Sequence, residues 1–479
     1  MTTPELDVSL RRGEALLHED LITPLHHHDE SHNRLLATVD GTTRVVTPPQ
    51  ANELVTTLRP NQRIDDPAVA HAPGGPRVGR RGLFRGSLIG LGGLLAASSA
   101  PRYSFAADTG RDLLVCVFLR GGFDGLAAIG LPDDSYYNNL RGSARVSDST
   151  GFSLTSKYVM NKNFNALKGI WNDNQLAVVL GSGHPDVQRS HFEDQDLCER
   201  AAKANVRSGW IGRHIASSST ASGTFRAITI GDRVVLSLAT NAYQSLAMSS
   251  VDTFRLNSAW NDKDKLVRDL GTVYADAGGE LATQAKATLD AVTSMNTIRE
   301  QTYNPANGAD YPDSNWGRGL KDIARLAKAD LGMEVACIDY GGWDMHQNIG
   351  TPGGGQFANL ASDFAKGIAA FRTDLGSRWN SVTVVTMSEF GRRVEVNGDG
   401  GTDHGHGNLM FLMGGGINGG KVYGSMPDTL SPGNLTDGDV PITTDYRQAL
   451  SEIVSKRLNN DNLSQVFPGF TPGAALGVA

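Results

Sequence analysis

Asp403, His404 and His406 stand within four residues of one another in a glycine-rich stretch, GDGGTDHGHGN. One carboxylate and two imidazoles on backbone that glycine lets bend suit a divalent ion such as Zn²⁺ or Mn²⁺, with no thiol needed. Short His/Asp patterns also arise in polar turns whose histidines cap backbone groups, so this loop alone decides nothing. Other candidates lie upstream: Asp124 in LRGGFDGLAA, Ser190 in HPDVQRSHFEDQ, Asp344 and His346 in YGGWDMHQN, and Glu389 in SEFGRR. Ser190 and Glu193 match the S-x-x-E capping box of a helix start. A serine there is either a cap or a nucleophile held where free N–H groups attract an anion. His184, Arg189 and His191 surround it with groups that could bind phosphate or sulfate oxygens. Asp124 taken singly reads equally well as the cap of the next helix.

These residues need elements to hold them. Leu113–Leu119, Leu176–Leu180, Val335–Tyr340, Val382–Met387 and Leu409–Met413 are short apolar runs, which read as strands buried on both faces. Between the third and fourth, residues 356–375 carry Phe357, Leu360, Phe364, Ile368 and Phe371 at spacings of three and four, an amphipathic helix. Strand, helix, strand at this spacing is a right-handed crossover, so the two strands run parallel and their following loops emerge on one edge. Each candidate residue follows a predicted strand, directly or through a loop, and in a doubly wound sheet such loops converge. The fold expected is α/β, a three-layer α/β/α arrangement around a mostly parallel central sheet.

The chain has 479 residues, 39% of them hydrophobic, with 56 glycines that imply many tight turns. A net charge of −7 argues against an electrostatic nucleic-acid binder. Cys116, Cys198 and Cys337 form no CxxC pair and read as buried small hydrophobes. Residues 1–79 mix charges, the triplet His26–His28 and a Pro/Gly-rich stretch, and weak order is expected there. From Arg80 and Arg81 a short apolar stretch, Leu88–Ala97, leads to small residues near Ala106, the pattern of a twin-arginine export signal over 80–106. That stretch is far shorter than the roughly 20 residues of a spanning helix, so no membrane span is expected after cleavage. The expected location is therefore periplasm, cell wall or outside the cell, with the twin-arginine translocase as partner. Residues 205–330 carry no constellation of histidines and carboxylates and read as an insertion capping the site. The C-terminal PITTDYRQALSEIVSKRL reads as a capped amphipathic helix closing the sheet.

Taken together, LRGGFDGLAA, HPDVQRSHFEDQ, YGGWDMHQN, SEFGRR and DHGHGN resemble the exported bacterial proteins grouped as domain of unknown function 1501, within the alkaline phosphatase and sulfatase-like superfamily. The resemblance covers 111 to about 470. It implies an alkaline phosphatase-like domain over 107–479 and a metal set drawn from Asp124, Asp344, His346, Glu389, Asp403, His404 and His406. It further implies one or two ions, Zn²⁺ or Mn²⁺ before Ca²⁺, and Ser190 as nucleophile. Arg189 would steady anionic oxygens and His191 would donate a proton to the leaving group. Arg120, His184 and Arg392 would contact the substrate, a small anionic ester or a polymer. The superfamily's usual Asp-His-Gly is replaced by Glu389-Phe390-Gly391; Phe390 cannot bind a metal, and His404 or His406 could stand in. Two functions stay open: a metal-dependent phosphate or sulfate ester hydrolase, and a non-catalytic binding or assembly protein on the same fold.

Overall fold

The computed structural model describes residues 8–12, 35–39, 42–46 and 112–479, apart from 204, 219–224, 244, 256–262 and 277–278. The chain divides into two compact units, Met1–Gly93 and Leu94–Ala479. In the first, Val8–Arg12, Leu35–Val39 and Thr42–Val46 form a three-stranded antiparallel sheet. Most of residues 1–79, where weak order is expected, lie outside the described residues, and these strands are the part that is described. The signal was Asp40-Gly41 between two β-branched runs, the pair that a two-residue hairpin favours. The histidine triplet, the export signal and its cleavage point lie outside the described residues.

The second unit is built on a nine-stranded sheet, beside a small antiparallel one of Ile129–Gly130, Gly151–Ser153 and Val159–Asn161; the nine are β1 (Leu113–Leu119), β2 (Leu176–Gly183), β3 (Ala227–Ile230), β4 (Leu246–Met248), β5 (Val335–Tyr340), β6 (Val382–Met387), β7 (Asn408–Gly414), β8 (Lys421–Gly424) and β9 (Thr444–Asp445). They form one sheet in the order β4-β3-β5-β1-β6-β7-β2-β8, with β9 also on β2. Only β7 runs against its neighbours, β6 and β2; every other pairing is parallel. Because β7 is reversed, it begins on the edge where β6 ends. The Asp403–His406 loop between them therefore stays at the C-terminal edge of the parallel strands.

Among the described residues, the helices of eight or more residues are α1 (His191–Arg200), α2 (Trp210–Ser217), α3 (Lys263–Ala275), α4 (Gly279–Glu300), α5 (Asn315–Lys328), α6 (Gln356–Leu375) and α7 (Tyr446–Lys456). Alternate residues of β1 feed two cores. Val115 and Val117 pack with Trp316 and Leu320 of α5 and Phe364 and Phe371 of α6. Leu114, Cys116 and Phe118 pack with Trp210 of α2 and Leu450 and Ile453 of α7. Helices thus cover both faces, which is why β1 reads as an unbroken apolar run. Each such side chain, fully buried, contributes about 1.5–3 kcal/mol.

Residues 205–330 are not a separate cap. β3 and β4 extend the sheet, with β3 paired in parallel to β5, while α2 and α5 lie on opposite faces. The apolar Ala227–Ile230 and the stripe Trp316, Leu320 and Ile323 supply core surface that the sheet edge needs. All three cysteines are buried and free. Among the described residues, no helix is long and apolar enough to cross a membrane.

Candidate metal centre

Loops following β1, β2, β5 and β6 meet at one edge of the sheet. The turn after β1 lies against the one after β5 through Gly121, whose φ is +115° and whose added Cβ would fall 2.5 Å from the backbone nitrogen of Asp344. Only glycine tolerates that contact in that conformation. Arg392 ties the same loops together: its Nε donates to the Gly122 carbonyl at 2.8 Å, Nη1 to Thr402 at 2.7 Å, and Nη2 to Gly121 and to Asp344 Oδ1 at 2.6 Å.

Three imidazoles turn inward on Asp344. Oδ1 of Asp344 lies 3.1 Å from His346 Nε2, 3.4 Å from His191 Nε2 and 3.7 Å from His404 Nε2. His346 Nε2 and His404 Nε2 are 3.0 Å apart. The other nitrogen of each ring faces an outer acceptor. His404 Nδ1 donates to the Arg189 carbonyl at 2.8 Å, His191 Nδ1 to Glu389 Oε1 at 2.8 Å, and His346 Nδ1 to Asp403 Oδ1 at 3.1 Å. A neutral imidazole donates at one nitrogen and presents a lone pair at the other, so all three lone pairs point at Asp344 and at one another. His191 Nε2 is buried and has no hydrogen-bond partner, its approach to Asp344 being off line.

That crowding of electron pairs is relieved by a proton or by a cation. The proton's side shows in His191: burial opposes its charge, but the neighbouring carboxylates of Asp344 and Glu389 outweigh burial and push it up to about 9. Burial likewise opposes ionisation of Asp344, yet His191, His404 and Arg392 together hold its carboxyl far below the usual range. The donor set also fits a metal. Ligands at about 2.0–2.1 Å from a tetrahedral Zn²⁺ sit about 3.3 Å apart, the middle of the separations above. His191, Asp344 and His404 present ligand atoms all within 4.8 Å of one another, and His346 adjoins them. Ligating histidines that donate their second nitrogen to a carboxylate or carbonyl are the usual outer arrangement of metal sites.

The predicted residues divide accordingly. Asp344, His346 and His404 stand in the inner group, joined by His191, which the sequence reading made a proton donor. Its two nitrogens face the carboxylates of Glu389 and Asp344. Glu389 stands as the outer partner of His191: its Oε1 also accepts from Gly121 N and Gln195 Nε2, each at 2.9 Å. Asp403 holds that place for His346. His406 is turned away, its Nδ1 donating to Asp439 Oδ2 at 2.7 Å. Of the two histidines that could replace the one missing at Phe390, the inner place falls to His404. Phe390 itself packs beside it, 4.5 Å from the His404 ring and 4.9 Å from His191.

Asp124 is likewise outside the inner group. Its Oδ1 caps the turn Gly125–Ala128 by accepting from Ala127 N, and its Oδ2 takes Arg141 Nη1 at 2.7 Å and Thr402 Oγ1 at 3.0 Å. Both partners of that ion pair are buried, so Asp124→Asn should cost about 3 kcal/mol. A lower urea midpoint with unchanged bound metal is the expected result; metal lost at an unchanged midpoint would return Asp124 to the ligand set.

Ser190 begins α1 but does not cap it. Asp194 reaches back instead, accepting from Gln188 N at 2.8 Å and Ser190 N at 2.9 Å, which replaces the expected capping box and leaves the serine hydroxyl out of the helix cap. Arg189 before it holds φ +62°, costly for a residue with a side chain. Its carbonyl receives His404, and its side chain approaches Asp439 at 3.4 Å. Arg120 and Arg392, expected at the substrate, both have partners within the chain: Arg120 is paired with Glu199 and Asp339, and Arg392 is buried against carbonyls and Asp344. His184 is buried beside Tyr446, where burial and then Arg447 depress its pKa. Gln195, Arg141 and Asp439 were missed. Gln195 lies four residues after His191 on one helix face and was findable; Asp439 sits in no motif.

Fold and site together define an α/β protein with a histidine-rich candidate metal centre at the C-terminal edge of its sheet. The chain belongs to DUF1501, a family described as protein of unknown function, whose model matches residues 169–432 and so includes His191, Asp344, His346 and His404. No curated protein matches it. Among solved structures it is similar to the C-terminal periplasmic domain of EcEptC from Escherichia coli, determined in complex with Zn. That likeness has 10% identity over 67% of this chain and 77% of the other, with a TM-score of 0.30.

Proposed function

We propose that this protein is an exported, metal-dependent hydrolase of phosphate or sulfate esters, on a fold of the alkaline phosphatase-like kind. The observation that carries the metal reading is the set of three histidines with Nδ1 committed outward and Nε2 turned on Asp344. A divalent ion bound there would polarise an ester oxygen and lower the pKa of a bound hydroxyl. Ser190 supplies the nucleophile in this reading, because its hydroxyl is not used as a cap and the N-terminus of α1 favours an anionic group. Its Oγ attacks phosphorus or sulfur, the bond to the alcohol oxygen breaks, and water then releases the anion and restores the serine. Arg189 and Arg393, both partly exposed and both anchored on the buried Asp439, provide positive charge at the rim. Export over 80–106 through the twin-arginine translocase to the periplasm, wall or exterior belongs to the same proposal.

The second reading, a non-catalytic binding or assembly protein, is favoured by one feature: Phe390 occupies with a buried ring the place where the resembling enzymes carry a ligand. Purified protein assayed with 4-nitrophenyl phosphate, bis(4-nitrophenyl) phosphate and 4-nitrophenyl sulfate, in Zn²⁺, Mn²⁺ and Ca²⁺, separates the two. Turnover reduced at least about 1000-fold in Ser190→Ala is expected. Metal bound at full occupancy with no turnover of any ester would favour the second reading.

A further inference from the structure

We infer that Arg392 is the second cation of the histidine centre, a built-in charge that leaves the site to a single divalent ion. The inference rests on the metal reading above and holds whether or not the protein turns over an ester. Arg392 lies in the loop after β6, and its side chain is wholly buried. A guanidinium carries five N–H donors and keeps its charge at any ordinary pH. Each donor here meets an acceptor. Nε reaches the Gly122 carbonyl at 2.8 Å, Nη1 the Thr402 carbonyl at 2.7 Å and His346 Nε2 at 3.5 Å, and Nη2 the Gly121 carbonyl and Asp344 Oδ1, the latter at 2.6 Å. Three carbonyl oxygens and a carboxylate oxygen are the ligands that a hard divalent cation takes. A side chain fills that oxygen-lined place, and it holds the same Asp344 oxygen on which the histidines converge.

The charges agree with one ion. Of the side chains in direct contact with the three rings or with Asp344, the carboxylates are Asp344, Glu389 and Asp403, and the guanidinium is Arg392. With neutral rings the negative charges exceed the positive by two, which one dication balances. A second dication would leave the centre positive by the same amount, beside a guanidinium that cannot give up its proton.

Ligands for a second ion are also wanting. A paired site sets its ions about 3.5–4 Å apart and needs a ligand group for each. Among the described residues, the His, Cys, Asp and Glu side chains that gather closely enough in a group of three are His191, Asp344 and His404. Nearby candidates are committed elsewhere: Asp124 to Arg141 and Thr402, His406 to Asp439, and Glu389 to His191, Gly121 and Gln195. A single ion activates one oxygen of an ester, so the attacking and leaving oxygens are not clamped between two metals.

Equilibrium dialysis of the full chain against Zn²⁺, with elemental analysis, counts the ions, and electron paramagnetic resonance of the Mn²⁺-loaded protein shows whether they are paired. Wild type is expected to hold about one ion per chain and to give the hyperfine spectrum of isolated Mn²⁺. Arg392→Ala, which removes the charge from its cage of oxygens, should raise the count to about two, whereas Arg392→Lys, which keeps a charge there, should stay at about one. Two ions in wild type, or an exchange-coupled Mn²⁺ signal, overturns the inference and spares the metal reading. A folded Arg392→Ala that still holds one ion overturns it as well, because something other than Arg392 then sets the number. No bound ion in wild type removes the metal reading and this inference together. Should Arg392→Ala fail to fold, the wild-type count and spectrum decide.

Discussion

Asp344→Asn should weaken divalent metal binding by at least about 100-fold while leaving the protein folded. Asp344 Oδ1 is the one carboxylate oxygen among the inward-facing atoms, and three imidazole nitrogens lie within 3.7 Å of it. The amide has the same shape but no charge to balance a dication, and its NH₂ group can turn a donor toward the ion. Folding should survive, because Arg392 keeps its bonds to the Gly121, Gly122 and Thr402 carbonyls. His404→Ala should act in the same direction, since it removes one of the inner nitrogens. Equilibrium dialysis with Zn²⁺ and elemental analysis of the dialysed protein are the measurements. Full occupancy in both variants would remove the metal reading altogether.

Glu334→Ala should cost about 3–5 kcal/mol, the range for breaking a buried ion pair by removing one partner. Glu334, just before β5, accepts from Arg226 Nε at 2.6 Å and His214 Nε2 at 2.8 Å, and all three side chains are buried. Asn460 Nδ2 donates to His214 Nδ1 at 3.0 Å, which fixes the tautomer with its proton on Nε2, toward Glu334. Alanine would strand the Arg226 guanidinium without water. Burial raises the pKa of Glu334, but His214 and Arg226 outweigh it and bring it down to about 2 from an ordinary 4.5. A depressed carboxyl stabilises the fold above its unfolded value and loses that contribution as pH falls from about 4.5 toward 2. Urea midpoints of wild type and variant measured between pH 7 and pH 2 should converge toward the acid end. A constant gap would assign the loss to packing rather than charge.

Much of this architecture was legible because β1, β5, β6 and β7 are continuous apolar runs and α6 is strictly periodic. Both patterns reflect burial that no alternative fold of those segments would satisfy. The meeting of the loops was legible for the same reason, since crossover handedness leaves parallel strands one shared edge. What the sequence concealed was depth. A histidine or carboxylate in a motif reads identically whether it belongs to the inner group or stands one hydrogen bond behind, so the sequence does not tell that His191 faces Asp344 while Glu389 and Asp403 lie on the outer side of the rings. The reach of Asp194 to Ser190, and of Arg141 to Asp124, depended on side-chain competition that spacing does not resolve.

The inward histidines come from three loops far apart in the chain, and each is steadied by a residue from the loop of one of the others. Chain closure on that scale is slow relative to helix and hairpin formation, since long-range contacts must await costly loop closure. An ion meeting a partly made chain would find at best one or two of its ligands, too few to compete with solvent. Capture is thus a late event, and the loaded protein is one whose sheet has already closed. Any metal it carries doubles as a seal on completed assembly, adding RT ln(1 + [M]/Kd) to the stability of the closed form.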